Sequence, residues 1–500
     1  MAKKSVSDTA NEIILIGTSG MAYIPGIKAA VTISAKPSRD MFSKPDNAPI
    51  KIAFKDKAIK GVVPWGENND LPQQLIAKIR KSETLSGGLY FNYFCGYGDG
   101  IMPCYYVYNE NGKKTILPYE FMGEDLQRKI KETTDNEEKN ELNKRYKLWE
   151  STFKEVAEFF ENNDIEFYLG EQFIDINFFY IAFAEIIFNK DSERKIVVLT
   201  SKEAAFSRFE EMDKETGLIN HHFYSSKWSE SAGVKEDDID ITPVLNPRST
   251  IRDLKIRTGM IPGPDGEKKD EEKNRYIIPI ILPSPGKFYY PHSPWYSVFE
   301  SGWYDLLTKI PELKNALVDN QMTLKYHIEL DKDYFPDIFR DERIIDEKKQ
   351  KERIKKEFEN LNDFLSNKEN TGKSIISYTI YTPDGTEKRK MKINVLENHF
   401  KGGEYIEDSE EGSNIMNFAM GVHPSLIGSS PGKTKTINGT EARELYLIKQ
   451  SLQKPIRDRI LKPLYIVKVI NGWDPRLHFT IPNIQLTTLD EGKETEKVAT

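Results

Sequence analysis

Residues 415–428 read Ile415-Met-Asn-Phe-Ala-Met-Gly421-Val422-His423-Pro424-Ser425-Leu426-Ile427-Gly428, and the chain continues through Asn438-Gly-Thr-Glu441-Ala-Arg443 to Gln450-Ser-Leu-Gln-Lys-Pro455-Ile456. A helical pattern from Glu404 to Met420, interrupted by Gly412, runs out at Gly421 and Pro424, residue types that end helices. The loop that follows, His423 to Asn438, holds Lys433 and Lys435 among glycines, serines and threonines and has no carboxylate. Asn438 and Glu441 are spaced as a capping box, which opens a long helix predicted from Gly439 to Val469. Pro455 and Pro463 predict bends in it, because proline lacks an amide hydrogen and crowds the carbonyl four residues back. A short strand, Leu477 to Ile481, and a polar tail close the chain.

Working outward, Ser293-Pro294 supplies a good N-cap followed by a good first helical residue. The helix predicted there runs from Trp295 to about Thr323, with Val298, Phe299, Trp303, Leu306, Leu307, Ile310, Leu313 and Leu317 on one stripe and a kink at Pro311. Between this helix and the one ending at Met420 lies a small α/β insert. It reads as strand Tyr326 to Leu330, helix Ile344 to Leu365, and strands Ser374 to Tyr381 and Lys388 to Val395 around the turn Pro383-Asp384-Gly385.

The region before Ser293 is read the same way. The loop Trp65 to Pro72 leads into a helix, Gln73 to Lys81, and the aromatic run Leu89 to Gly96 is broken by Gly96-Tyr97-Gly98-Asp99-Gly100. Residues 118–163 interleave Glu and Lys at helical spacing, the mark of a solvated helix face. Ile165, Phe167 and Leu169, then Phe173 to Ile187 and Ile196 to Leu199, read as strands from their aromatic and β-branched content, with a turn at Asn189-Lys190-Asp191. Short strands and polar loops fill 201–275 and end in the low-complexity run Gly263 to Lys273. The expectation is an α+β protein.

Length and composition bound what such a chain does. Its 500 residues suffice for two or three domains, with 38% hydrophobic, 30% charged and 11% aromatic residues, enough to form cores under a charged surface. A net charge of −7 gives no global basic footprint, so a DNA partner would not be gripped. Cys95 and Cys104 make neither a disulfide framework nor a zinc site; they are expected as reduced thiols near a strand pair, in keeping with a reducing cytoplasm. No run of 18 apolar residues exists, so no membrane span is expected. The apolar run Ile13 to Gly17 is too short for a signal sequence, and Met1 to Ser34 reads as an arm that packs on something else.

No enzymatic constellation emerges. Gly428-Ser-Ser-Pro-Gly432-Lys433-Thr434 has three residues between its glycines where a phosphate loop needs four, and a helical segment precedes it where such a loop needs a buried strand. His221 and His222 are adjacent, which sends their side chains apart, and no HExxH or GxSxG is present. Carboxylate pairs such as Asp331 with Asp333, or Glu410 with Glu411, read as solvated surface. Catalytic residues, metal and cofactor are all expected to be absent.

The order of elements over 293–470 resembles the portal proteins of tailed bacteriophages: stem helix, clip, stem helix, tunnel loop, and a long kinked helix crossing the wing. Residues 415–428 resemble the family's "FGVPPxLLG" stretch, Asn438 to Arg443 its "SNxEEAR", and Gln450 to Ile456 its "QTLxPxI". Leu169-Gly170-Glu171-Gln172-Phe173 resembles the wing's "YGNAF", with Glu-Gln in place of Asn-Ala, and His423 stands where the family often has proline. The resemblance implies an N-terminal arm at 1–49, a wing at 50–290, a stem helix at 291–323, a clip at 324–400 and a second stem helix at 401–421. It further implies a tunnel loop at 422–438, the kinked wing helix and strand at 439–483, and a short tail or truncated crown at 484–500.

It also implies a homo-oligomeric ring, typically a dodecamer, at one vertex of the virion capsid and assembled in the bacterial cytoplasm. Double-stranded DNA would pass through its channel, with the major capsid protein, the terminase large subunit and a head–tail adaptor as partners. An acidic wall suits such a channel, since each lysine or arginine on a phosphate would slow the polymer. The tunnel-loop residues Ser429, Ser430, Lys433, Thr434, Lys435 and Thr436 are the expected DNA-facing set. Trp303, Leu306, Ile310, Leu317 and Phe418 are the expected stem contacts between copies, and the mixed charges of Lys348 to Lys356 suit an exchangeable docking surface. The alternatives are another head–tail adaptor ring, or a nucleotide-dependent motor built on the Lys433 loop.

Overall fold

Ile181–Phe188 carries apolar or small side chains at all but one position, and this run forms a strand buried at every position but Ile187. The computed structural model describes residues 47–484, apart from 110, 191–193, 215, 229–233, 264–265, 269, 322–325, 367–379, 382, 385–386, 396–404 and 428–438, together with three short strands before residue 33. The described residues form a mixture of helices and small antiparallel sheets. The chain divides into two units, Met1–Ser301 with Asn414–Thr500, and Gly302–Ser413.

In the larger unit, β1 (Ile14–Ile16), β2 (Met21–Ile24) and β3 (Ala29–Thr32) form a meander. Helices α1 (Leu71–Arg80) and α2 (Glu83–Tyr97) follow, the second capped by the Ser82 hydroxyl, which accepts from the Leu85 amide. The hairpin β4 (Met102–Tyr108) and β5 (Lys114–Pro118) leads into the charged helices α3 (Phe121–Glu132) and α4 (Asn136–Asn163), as expected from 118–163. Helix α5 (Ile165–Phe179) precedes strand β6 (Ile181–Phe188) and its partner β7 (Ile196–Lys202). Three short strands, β8 (Ser207–Phe209), β9 (His221–Tyr224) and β10 (Asp240–Pro243), form a second sheet, and α6 (Thr250–Arg257) leads to β11 (Arg275–Ile281). Strand β11 pairs with β6 on the side opposite β7. A large apolar core joins this sheet to α4, α5 and the C-terminal helices, and a smaller one gathers Val62, Phe223, Trp228 and Ile239.

The strand expected across Ile165, Phe167, Leu169 and the start of the Phe173–Ile187 run is a helix. Asp164 caps α5 by accepting from the Phe167 amide, and Tyr180, in the left-handed region at φ 62°, ends it. The helix is buried on nearly all sides, so no polar face remains to show its period. Two of its polar residues reach outward to neighbouring segments. Gln172 donates to the Phe183 carbonyl and the Ser201 hydroxyl at 3.1 and 2.8 Å, and Asp175 accepts from the Ala204 amide at 2.7 Å. The aromatic run at Leu89–Gly96 is likewise helical, inside α2.

The helix expected from Trp295 is broken. Pro294–Tyr296 is a 3-10 turn, pinned because the Trp295 indole donates to the Asn177 carbonyl and the Tyr296 hydroxyl to that of Phe178. The Ser293 hydroxyl, predicted to cap it, makes no cap bond. A single helical turn, α7 (Ser297–Glu300), ends at Ser301, and Gly302 turns the chain at φ +82°.

The smaller unit begins with α8 (Trp303–Gln321), which runs through Pro311. Strand β12 (Tyr326–Leu330) comes next, then α9 (Tyr334–Asp341) and α10 (Glu347–Ser366). The strands β13 (Ile380–Tyr381) and β14 (Glu387–Lys388) pair around Pro383-Asp384, and β15 (Met391–Val395) pairs antiparallel with β12. Arg353 holds the helices together, bonding Glu342 and Glu357, while Phe335 packs edge-on against Phe358. Helix α11 (Ile406–Ala419) passes uninterrupted through Gly412, whose missing side chain gives room to Leu307 of α8; an added Cβ there would lie 2.9 Å from it. The two helices flanking the α/β insert therefore lie side by side.

Back in the larger unit, the helix expected over 439–469 is two: α12 (Gly439–Ile460) and α13 (Lys462–Asn471). Pro463 stands at the start of α13, where its missing amide costs nothing, and Pro455 sits inside α12 without ending it. Strand β16 (His478–Thr480) adds to β4. Asn438 of the expected capping box lies outside the described residues.

Candidate functional site

The expected DNA-facing residues Ser429, Ser430, Lys433, Thr434, Lys435 and Thr436 lie outside the described residues. What the structure describes is the chain on either side of 428–438. The end of α11 is wound down by the Met420 and Val422 amides, which donate to the Met416 and Asn417 carbonyls, with Gly421 at φ +63° as the turn. Two side chains from other helices hold this turn. The Asn92 amide of α2 donates to the Met420 carbonyl at 3.0 Å, and the Lys449 ammonium of α12 donates to the Gly421 carbonyl at 2.8 Å. Lys449 thus places a positive charge at the negative end of α11. Met420 closes over Gly88 so tightly that a Cβ there would lie 2.2 Å from its methyl group.

On the loop's far side, α12 is locked to α2 by polar residues. Arg457 donates from Nε to the Gly96 carbonyl at 3.0 Å and from its terminal nitrogens to the Cys95 and Ile481 carbonyls at 2.8 and 3.3 Å. Gln450 donates to the Ile484 carbonyl at 3.2 Å. Both segments flanking 428–438 are therefore fastened to one helix, α2. Burial lowers the Lys449 ammonium to about 8 and raises the Cys95 thiol to about 11, with each acting weakly on the other. Cys104 is buried in β4 and raised to about 11 for the same reason.

The expected stem residues fall in different environments. Ile310 is buried, Trp303 is half-buried, Leu306 is exposed, and Phe418 is 85% exposed; the side chain of Leu317 lies outside the described set. Buried ionisable groups that the sequence did not mark also exist. Arg208 is fully buried between Trp65 and Trp228, and it donates to the Ala205, Ser207 and Asn69 carbonyls and to the Asn69 side chain. It fixes the Trp65–Pro72 loop. His222 is buried and lowered to about 3 by that burial, while its neighbour His221 sits 2.8 Å from the Glu210 carboxylate. Asp175 is buried and raised to about 8, chiefly by burial and further by Glu203 and Glu171. Among the described residues no set of three or more His, Cys, Asp or Glu is placed to hold a metal, and no helix is long and apolar enough to cross a membrane.

No protein-family model matches the chain, and no curated protein matches it. Solved structures with partial likeness come from gene transfer agent particles. One, from the virion of the native particle, aligns with a TM-score of 0.46 and 10% identity over 83% of this chain and 84% of its own. Another, from the neck of the empty particle, gives 0.45 and 12% over 83% and 84%, and a third, from the neck of the native particle, gives 0.42 and 10% over 82% and 83%. Likeness at this level carries no conclusion about the chain.

Proposed function

We propose that this chain is a non-catalytic subunit of a portal-type ring, through which DNA enters a phage-like capsid and later leaves it. The observation that carries the reading is the pairing of α8 with α11 on either side of an inserted α/β module, with the turn that ends α11 held by Asn92 and Lys449 and with α12 fastened to α2 through Arg457. That is the stem–clip–stem and tunnel-loop order whose motifs the sequence resembles. In this reading copies of the paired helices stand around an axis, typically twelve of them, with 428–438 projecting toward it. Lys433 and Lys435 touch DNA phosphates transiently, and the acidic balance of the chain as a whole, net −7, keeps the duplex moving. The inserted module, rich in both charge signs, docks the terminase during packaging and the adaptor afterwards. The larger unit meets the capsid protein.

Negative-stain imaging of the purified protein tests the reading. Rings with a central opening wide enough for a duplex are expected, and a compact monomer under all assembly conditions would overturn it. Alanine at both Lys433 and Lys435 should alter packaging or DNA retention while leaving ring formation intact. Unchanged packaging and retention would remove the role given to those lysines.

A further inference from the structure

Helix α12 is inside out for a surface helix. Lys449, Gln450, Gln453 and Arg457 are buried, while Ile448 and Leu452, one turn apart, are 58% and 63% exposed. Exposed large apolar side chains opposite buried polar ones are the informative departure from the usual pattern. Helix α2 presents a matching anomaly. It is apolar all round, as a fully buried helix is, yet Tyr90 and Phe94 on its outer face are 42% and 64% exposed. The two helices meet through their inner faces, Arg457 against the Gly96 and Cys95 carbonyls. Their outer faces therefore point away from this contact.

The C-terminal ends of the two helices are also flanked by exposed charges of opposite sign, Asp458 of α12 being paired with Lys454 while the exposed Glu441 and Glu444 lie toward the other end of α12. At the C-terminal end of α2, Asp99, Asp164 and Glu166 are exposed, and the last two act electrostatically on Tyr97 of α2. At the C-terminal end of α12, exposed Arg459 continues the outer stripe, and Lys462 lies close enough to feel its charge. We propose that the outer face of α12 in one copy packs on the outer face of α2 in the next, Ile448 and Leu452 against Tyr90 and Phe94, with Arg459 toward the acidic end of α2. Two different faces of one unit make a head-to-tail contact, the kind that closes into a ring when the rotation closes. This pairing rests on the ring reading and assigns the surfaces that would build it.

The test is a complementary mixture. One variant carries Tyr90→Glu and Phe94→Glu, the other Ile448→Glu and Leu452→Glu; all four sites are exposed, and circular dichroism verifies the fold. Each variant alone is expected to run as a 57.7 kDa monomer by light scattering where the wild type forms a closed assembly. Mixed, each supplies the face the other lacks, so dimers are expected and nothing larger. A dimer formed by either variant alone would mean that like faces pair, and overturns the head-to-tail contact. Wild-type-sized assemblies from either variant would overturn the surface assignment while leaving the ring reading standing. A wild type that stays monomeric throughout sinks the ring reading and this pairing with it.

Discussion

Three glycines in α2 meet different surroundings, and replacing them one at a time should give different signs of effect. A Cβ on Gly87 would find nothing within 4 Å, whereas one on Gly96 would lie 2.5 and 2.7 Å from two ring carbons of Phe173. Alanine favours a helix interior over glycine by about 1 kcal/mol, so Gly87→Ala should stabilise by up to that amount. At Gly96 the same gain is opposed by more than 1 Å of overlap with a rigid ring that is itself fully buried. Overpacking of this kind costs about 1–3 kcal/mol, and the upper end applies because the ring cannot swing aside. Moving α2 instead would strain the Gly96 carbonyl's 3.0 Å bond to Arg457. The net expectation is about 2 kcal/mol of destabilisation for Gly96→Ala, roughly 3 kcal/mol from Gly87→Ala.

Urea unfolding followed by tryptophan fluorescence reads this directly, since Trp65, Trp149, Trp228, Trp295 and Trp473 all lie in the unit that contains α2. Gly87→Ala is measured where the transition is independent of protein concentration, so that association through the outer face does not enter. Adding Phe173→Leu to Gly96→Ala should recover at least about 1 kcal/mol, a non-additivity expected only for residues in contact. Gly96→Ala as stable as the wild type, with no coupling to Phe173, would refute the packing of α2 on α5 described above.

Lys449, lowered to about 8 by burial, keeps its proton less readily in the folded than in the unfolded chain. Stability should therefore rise between about pH 8 and 10.5 relative to Lys449→Met, and NMR of the methylated lysine should titrate near 8; a titration near 10 would refute its burial. Asp175 has the opposite sign, because its folded value of about 8 lies above the ordinary 3.8. Its contribution is complete only below about pH 3.8 and is lost as pH rises from there through 8, so Asp175→Asn, which can still accept from the Ala204 amide, should gain on the wild type by a few kcal/mol between pH 5 and pH 8 as read from urea unfolding. Cys95 and Cys104, both buried and raised to about 11, should resist a disulfide-exchange reagent at pH 8 until urea unfolds the chain; rapid native labelling would contradict their placement.

The sequence was most legible where punctuation is strong. Ser-Pro, Gly-Val-His-Pro and Pro463 locate helix ends within a few residues, whereas Pro455 does not, and β12 falls at Tyr326–Leu330 as expected. It was least legible where a helix is buried on every side. In α5 the polar positions are too few to print a period, and Phe and Ile there weigh toward strand, so tertiary burial overrode local preference. The single helix expected from Trp295 hid its break because the pins on Pro294–Tyr296 come from carbonyls at Asn177 and Phe178, far away in sequence. Most of the buried charges were missed for a related reason: an isolated Arg208 or Lys449 looks like surface until its carbonyl partners are known. Arg457 did carry a signal, since Lys449, Gln453 and Arg457 recur every four residues on a helix whose opposite side is Ile448 and Leu452.

That inversion has a physical logic. Backbone carbonyls are turned toward α12 at two levels, Gly421 at Lys449 and, two turns further along, Gly96, Cys95 and Ile481 at Arg457, and buried carbonyls require donors. Lys449 and Arg457 supply them, and to do so α12 must turn its polar side inward. Its apolar side is then left toward solvent at a cost that another chain's apolar face would remove. The clamp on the loop and the exposure of Ile448 and Leu452 are thus two consequences of one choice of helix face. A variant that restored the ordinary polarity of α12 would be expected to loosen the loop base and abolish association together.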